Sequence, residues 1–133
     1  MSVNIPAITI WREARGEGSD GMLAVAFVIH NRAAHGHPWP HDPDRVCLQR
    51  RQFSCWNDSD PQRDLYPDTP ADGPSYDDAV TRWNYADSIG MTDPTGGATY
   101  YVNVSALKKN PFDSPLYEPT AVIGRHTFYK DKG

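Results

Sequence analysis

Eight successive apolar residues, Met22-Leu23-Ala24-Val25-Ala26-Phe27-Val28-Ile29, constrain this chain more than any other feature. A helix over them is apolar on every side, so the rest of the chain must supply its cover. The run falls far short of the roughly 20 apolar residues needed to span a bilayer, so no membrane insertion is expected. The expectation is a central buried helix with Ser19 or Asp20 as N-cap, reaching about Ala34.

The cover is legible in the flanking segments. Pro6 followed by apolar Ala7, Ile8, Ile10, Trp11 and Ala14 reads as a first helix with proline in its first turn, ended by Gly16 and Gly18. Residues 36–74 are crowded with His, Pro, Asp and Gly and are expected to be mostly loop, with a helical turn near Asp44 to Gln49 and packing by Phe53, Trp56 and Tyr66. Ala79, Val80, Trp83 and Ala86 are spaced for one face of a helix from about Ser75 to Ile89, with Gly90 as its stop. After the turn Asp93-Pro94-Thr95-Gly96-Gly97, the stretch Ala98 to Asn103 has strand composition, and so has Val122 to Tyr129. Two strands joined by a long connection from Ser105 to Pro119 would form a small antiparallel sheet beside the helices. The fold class expected is α+β, mainly α.

A chain of 133 residues suits one domain, here 1–133, and no repeat or linker argues for a second. With a net charge of -4 the chain lacks the clustered basic surface that attracts phosphate backbones, so nucleic acid is not an expected partner. The N-terminal residues Met1 to Pro6 show no basic segment followed by an apolar stretch, so no secretory signal is visible. The two cysteines, Cys47 and Cys55, fit neither a disulfide scaffold nor a four-cysteine zinc site and read as two thiols, although a short-loop disulfide is open to them in an oxidising compartment.

Glu13 is the first candidate for chemistry. It falls in the last turn of the first helix, where the partial negative charge of the helix end disfavours another anion. Burial beside Trp11 and the second helix would add desolvation, and a carboxyl group that keeps its proton near neutral pH can act as a general acid. On position alone it is one of 17 acidic residues, most of which serve as solvated surface groups.

Four ordered motifs sharpen this reading: Trp11-Arg12-Glu13-Ala14-Arg15-Gly16-Glu17-Gly18 with the apolar helix closing on His30-Asn31-Arg32; Gln52-Phe53-Ser54; Asp93-Pro94-Thr95-Gly96-Gly97-Ala98 with Tyr100 and Asn103; and Ile123-Gly124-Arg125-His126-Thr127-Phe128-Tyr129. Together they resemble the SleB/CwlJ-type cell-wall hydrolase family from residue 11 to residue 129. The resemblance implies a lysozyme-like helical domain with a small β-sheet. It also implies cleavage of the bond between N-acetylmuramic acid and N-acetylglucosamine by a lytic transglycosylase or muramidase, with Glu13 as catalytic acid and no cofactor.

A transglycosylase needs one carboxylate, because the sugar's own C6 hydroxyl is the nucleophile and has a large effective molarity. A hydrolase uses two, about 5 Å or about 6.5–9.5 Å apart. Glu17 is nearest in sequence, and catalysis, capping of the second helix or pairing with Arg15 are all open to it. Gln52, Phe53, Ser54, Tyr100, Asn103, His126 and Tyr129 suit a sugar groove by their polar and aromatic groups. Equally, Tyr100, Tyr129 and Phe53 can be core, and Gln52 and Asn103 can tie down loops.

A rival reading takes His30, His35, His37 and His41 with the cysteines as zinc ligands of a peptidoglycan amidase or peptidase, but their spacing matches no zinc pattern. Another makes the chain a noncatalytic wall-binding module. The leading expectation is a monomer acting on peptidoglycan glycan strands in the periplasm or outside the cell, with a phage endolysin as the setting suggested by a bare catalytic domain.

Overall fold

The computed structural model describes residues 4–49, 53, 73–88 and 90–132. Four helices, α1 (Ile5–Ala14), α2 (Gly18–His35), α3 (Pro43–Leu48) and α4 (Gly73–Ala86), precede three strands, β1 (Tyr100–Val102), β2 (Tyr117–Ile123) and β3 (His126–Asp131). No helix among the described residues is long and apolar enough to cross a membrane.

α2 is the buried axis that its apolar run requires, with Gly21, Met22, Ala24 to Ile29, Arg32 and Ala33 all buried. Helices α1, α3 and α4 pack on it, through Ile10, Trp11 and Ala14 of α1, Val46 and Cys47 of α3, and Ala79, Trp83 and Ala86 of α4. Phe53 joins this core; Trp56, Tyr66 and Cys55 lie outside the described residues. The Asn4 side chain starts α1 by accepting from the Ala7 amide at 3.0 Å, with Pro6 in the first turn.

Ser19 and Asp20 do not cap α2, contrary to expectation. The helix begins at Gly18, two residues before a Ser19 cap would start it, and the Gly18 φ of 76° lets the chain turn directly out of a short 3-10 turn over Arg15–Glu17. The Ser19 hydroxyl instead donates to Asp78 of α4, a contact that only the packed fold can supply. α4 likewise stops at Ala86, before the expected end at Ile89. Asp87 and Ser88 beyond it are exposed, so no burial rewards another helical turn.

The sheet is antiparallel but has three strands, in the order β1-β3-β2. The segment expected as a single second strand turns at Gly124 and Arg125, so Val122 and Ile123 end β2 while His126 to Tyr129 begin β3. Part of the supposed connection, Tyr117 to Pro119, is strand. Register pairs Tyr101 with Phe128 and Ala121 with Phe128, setting these residues on the face that packs on Ala24 and Val28 of α2. Tyr100 pairs with Tyr129, which points to the opposite face.

Asp93 anchors the start of the sheet. Its carboxylate accepts from the Thr95 amide (2.8 Å), the Thr95 hydroxyl (2.6 Å) and the Gly97 amide (3.0 Å). Asn31 of α2 donates both to Asp93 and to the Ala98 carbonyl, at 2.9 Å each. The turn foreseen from composition is thereby fastened to the central helix.

Candidate active site

Glu13 is the penultimate residue of α1 and is half-buried, where the helix gives way to the 3-10 turn carrying Glu17. Its side chain stands at the negative end of the helix. Beside Glu13, Arg15 stacks 4.2 Å from the centre of the Trp11 ring and donates to the Trp11 carbonyl, so it does not pair with Glu17. The Trp11 indole N–H is held by Ser75 Oγ at 2.9 Å, which steadies the end of α1 against α4.

Glu17 is committed elsewhere. Its Oε1 lies 3.5 Å from Arg125 Nε, in the β2–β3 turn, and the carboxylate side chain is mostly covered. Two glycines make room for it: a Cβ on Gly21 would collide with the Glu17 Cβ, and one on Gly124 would sit 3.0 Å from its Oε2. His126 completes this group. It is half-buried against Tyr101, at 5.1 Å between ring centres, and burial pushes its pKa below the ordinary value, opposed by Glu17 and reinforced by Arg125. Glu17, Arg125 and His126 therefore join the α1–α2 junction to the sheet.

The other candidates divide. Phe53 is buried, with its ring 5.0 Å from the Arg32 guanidinium carbon. Tyr100 is half-buried against Trp39 (5.5 Å), Phe112 (5.1 Å) and Tyr117 (5.3 Å), and burial raises its phenol pKa. Tyr129 is buried, stacked on Phe112, with its hydroxyl accepting from Asn110 at 2.8 Å. The half-buried Asn103 accepts from the Ser105 hydroxyl at 2.7 Å and so ties down the chain leaving β1. Gln52 and Ser54 lie outside the described residues. The structure thus brings Glu17 and His126 together, and places Phe53 and Tyr100 around Arg32. Tyr129 and Asn103 are set in packing and loop contacts.

Arg32, Trp39, Tyr101 and Arg125 had no part in the site read from sequence. A usable signal existed for Arg32, the one charged residue in the buried stripe of α2, and for Tyr101, which by strand alternation must face away from Tyr100.

Three of the four histidines of the zinc reading have separate partners, and His37 is exposed. His30 lies 3.7 Å from Asp87, His35 packs edge-on against Trp39, and His41 contacts the Ala33 carbonyl. Among the described residues no three His, Cys, Asp or Glu side chains are grouped to hold a metal ion. Cys47 is a buried free thiol, and burial pushes its pKa up to about 12.

Comparison with known proteins agrees with this architecture. The Cell Wall Hydrolase family profile matches residues 16–129, beginning three residues after Glu13. A spore cortex-lytic enzyme of Bacillus cereus is 32% identical over 129 residues, covering 96% of this chain and 44% of that protein. One from Halalkalibacterium halodurans is 32% identical over 103 residues, covering 76% and 27%. The chain therefore spans less than half the length of these relatives. The solved catalytic domain of the Bacillus cereus SleB protein superposes with a TM-score of 0.68 at 28% identity, over 95% of this chain and 87% of that one. The catalytic domain of the germination-specific lytic transglycosylase SleB from Bacillus anthracis gives 0.64 at 29% identity, over 95% and 91%. With the profile spanning most of its length and the helical domain and small sheet shared with both solved domains, the chain belongs to the cell wall hydrolase family, of the SleB type.

Proposed function

We propose that this domain cleaves the glycan strands of peptidoglycan between N-acetylmuramic acid and N-acetylglucosamine, with Glu13 as acid and then base. The observation carrying this reading is the setting of Glu13: a half-buried carboxyl at a helix end in a SleB-type fold. Glu13 donates its proton to the glycosidic oxygen as the C1–O bond breaks. The muramic C6 hydroxyl then attacks C1, and its proton returns to the Glu13 carboxylate, leaving a 1,6-anhydro end. An intramolecular hydroxyl has a high effective molarity, so no second carboxylate has to hold a water.

The placement of Glu17 favours this one-carboxylate route over hydrolysis, because its charge is engaged by Arg125 and its side chain is walled by Gly21 and Gly124. The test is digestion of purified sacculi by the wild type and Glu13→Gln, with mass spectrometry of the released fragments. Anhydro-muramic ends from the wild type and none from the variant are expected, a loss of at least about a hundredfold for a missing general acid. Undiminished release by Glu13→Gln removes the assignment; reducing ends in place of anhydro ends convert it to hydrolysis.

A further inference from the structure

The chain between β1 and β2 folds back over one end of the sheet and walls an open recess of about 380 Å³ there. Three rings line it: Tyr129 of β3, Tyr117 at the start of β2 and Phe112 of the connection. Phe112 lies nearly parallel to Tyr129 at 5.2 Å between ring centres and meets Tyr117 edge-on at 5.1 Å. Local bonds hold this wall in shape. Asn110 Oδ1 accepts from the Phe112 amide (2.9 Å), Asn110 Nδ2 donates to the Tyr129 hydroxyl (2.8 Å), and Ser114 Oγ accepts from the Leu116 amide (3.1 Å).

These bonds use only part of what the lining groups offer. Tyr129 is 7% exposed and its hydroxyl accepts one bond, but its own proton meets no acceptor among the described residues. A polar proton held this deep is disfavoured unless a ligand or water takes it. The Ser114 hydroxyl is likewise an acceptor whose proton is unspent among the described residues, and the exposed Asp113 carboxylate has no side-chain partner among them. The recess therefore presents two hydroxyl donors, one anionic acceptor and the apolar surfaces of Phe112, Pro115 and Pro119. That set suits a neutral ring with hydroxyl groups on its edge and C–H bonds on its faces. It has no cation to attract a phosphate or a carboxylate.

We propose that this recess is a sugar-binding site that holds one N-acetylglucosamine unit of the glycan strand, apart from the place of cleavage. The inference rests on the proposed function only in taking a glycan as the substrate, and not on which carboxylate cuts it. The acetamido group matches the lining: its N–H donates to Asp113, its carbonyl accepts from the Tyr129 or Ser114 hydroxyl, and its methyl lies against Phe112 and the prolines. Muramic acid fits less well, because its lactyl carboxylate would face Asp113. The recess sits at the Tyr117 end of β2, on the sheet face turned away from Ala24 and Val28 of α2. Arg125 and the Glu17 it pairs with stand beyond the other end of this seven-residue strand, about 20 Å away. A glycan gripped at one point and cut at another stays at high local concentration between cuts.

The test titrates the Glu13→Gln protein with N,N′-diacetylchitobiose and with cellobiose, which has the same rings without acetamido groups, and follows the backbone amide resonances. Shifts at residues 110–119 and 129 that saturate in the millimolar range with the first sugar, and are absent with the second, are expected. Adding Asp113→Ala, which removes an exposed side chain with no fold contact among the described residues, should weaken binding at least about fivefold. Tyr129→Phe keeps the ring stacking and should weaken it about threefold or more. Thermal melting monitors the fold, and if Tyr129→Phe does not fold, Asp113→Ala decides alone. The proposal is overturned by no shifts, by shifts confined to residues 13–17 and 125–126, by an equal response to cellobiose, or by unchanged affinity in Asp113→Ala. Failure of the parent reading shows separately, as no glycan fragments from sacculi with the wild type or undiminished release by Glu13→Gln.

Discussion

Gly21→Ala isolates what holds the site's two glutamates in place. In an ordinary helix interior alanine is favoured over glycine by about 0.5–1 kcal/mol, so a purely local view predicts stabilisation. Here the new methyl collides with the Glu17 Cβ, an atom fixed to the backbone of the 3-10 turn, so no rotamer change relieves the overlap. Overpacking of this kind costs about 1–3 kcal/mol, and displacing a backbone turn belongs at the upper end of that range. The net expectation is a loss of about 1–2 kcal/mol, seen as a fall in Tm of roughly 3–8 °C for a domain of this size. Because the displaced turn directly follows α1, the position of Glu13 should suffer too, with kcat on sacculi falling about tenfold or more. Gly16→Ala is the internal control: its Cβ meets nothing within 4 Å, so Tm should stay level or rise slightly. A Gly21→Ala melt equal to or above the wild type would refute the packing argument, and equal shifts in both variants would refute its dependence on Glu17.

Asp93→Ala removes the acceptor of four hydrogen bonds that fasten the turn before β1, and urea denaturation should show a loss of about 2–3 kcal/mol; wild-type stability would contradict the anchoring role. His126 has a folded pKa below its unfolded value, so the stability tied to its neutral form is complete above about pH 6.5 and is lost as pH falls through the folded value. His126→Gln should therefore flatten the fall in Tm between pH 7 and pH 5, and an unchanged slope would rule the residue out as a source. In a Cys55→Ser background the Cys47 thiol, pushed up to about 12 by burial, should react with a disulfide reagent at pH 8 only after denaturation; rapid reaction of the native protein would show that the site opens.

The sequence alone determined what repeats along the chain or sits within a few residues. The apolar run at 22–29 required a surrounded helix, the spacing of Ala79, Trp83 and Ala86 defined the buried face of α4, and the composition of 93–97 marked the turn. The ordered motifs from Trp11 to Tyr129 carried the family, because they record a whole fold and not one local preference. What only the tertiary structure decided depends on partners remote in sequence. Ser19 left the cap for Asp78, Glu17 found Arg125 across 108 positions and not Arg15, and Arg32 closed on the Thr99 carbonyl. The Val122–Tyr129 stretch, uniformly strand-like in composition, could not disclose its own turn, since Gly124 and Arg125 bend where β3 must pair with both neighbours. Local propensity is a sum over neighbours in the chain, whereas burial, charge pairing and strand order are set by neighbours in space, and those exist only once the chain has folded.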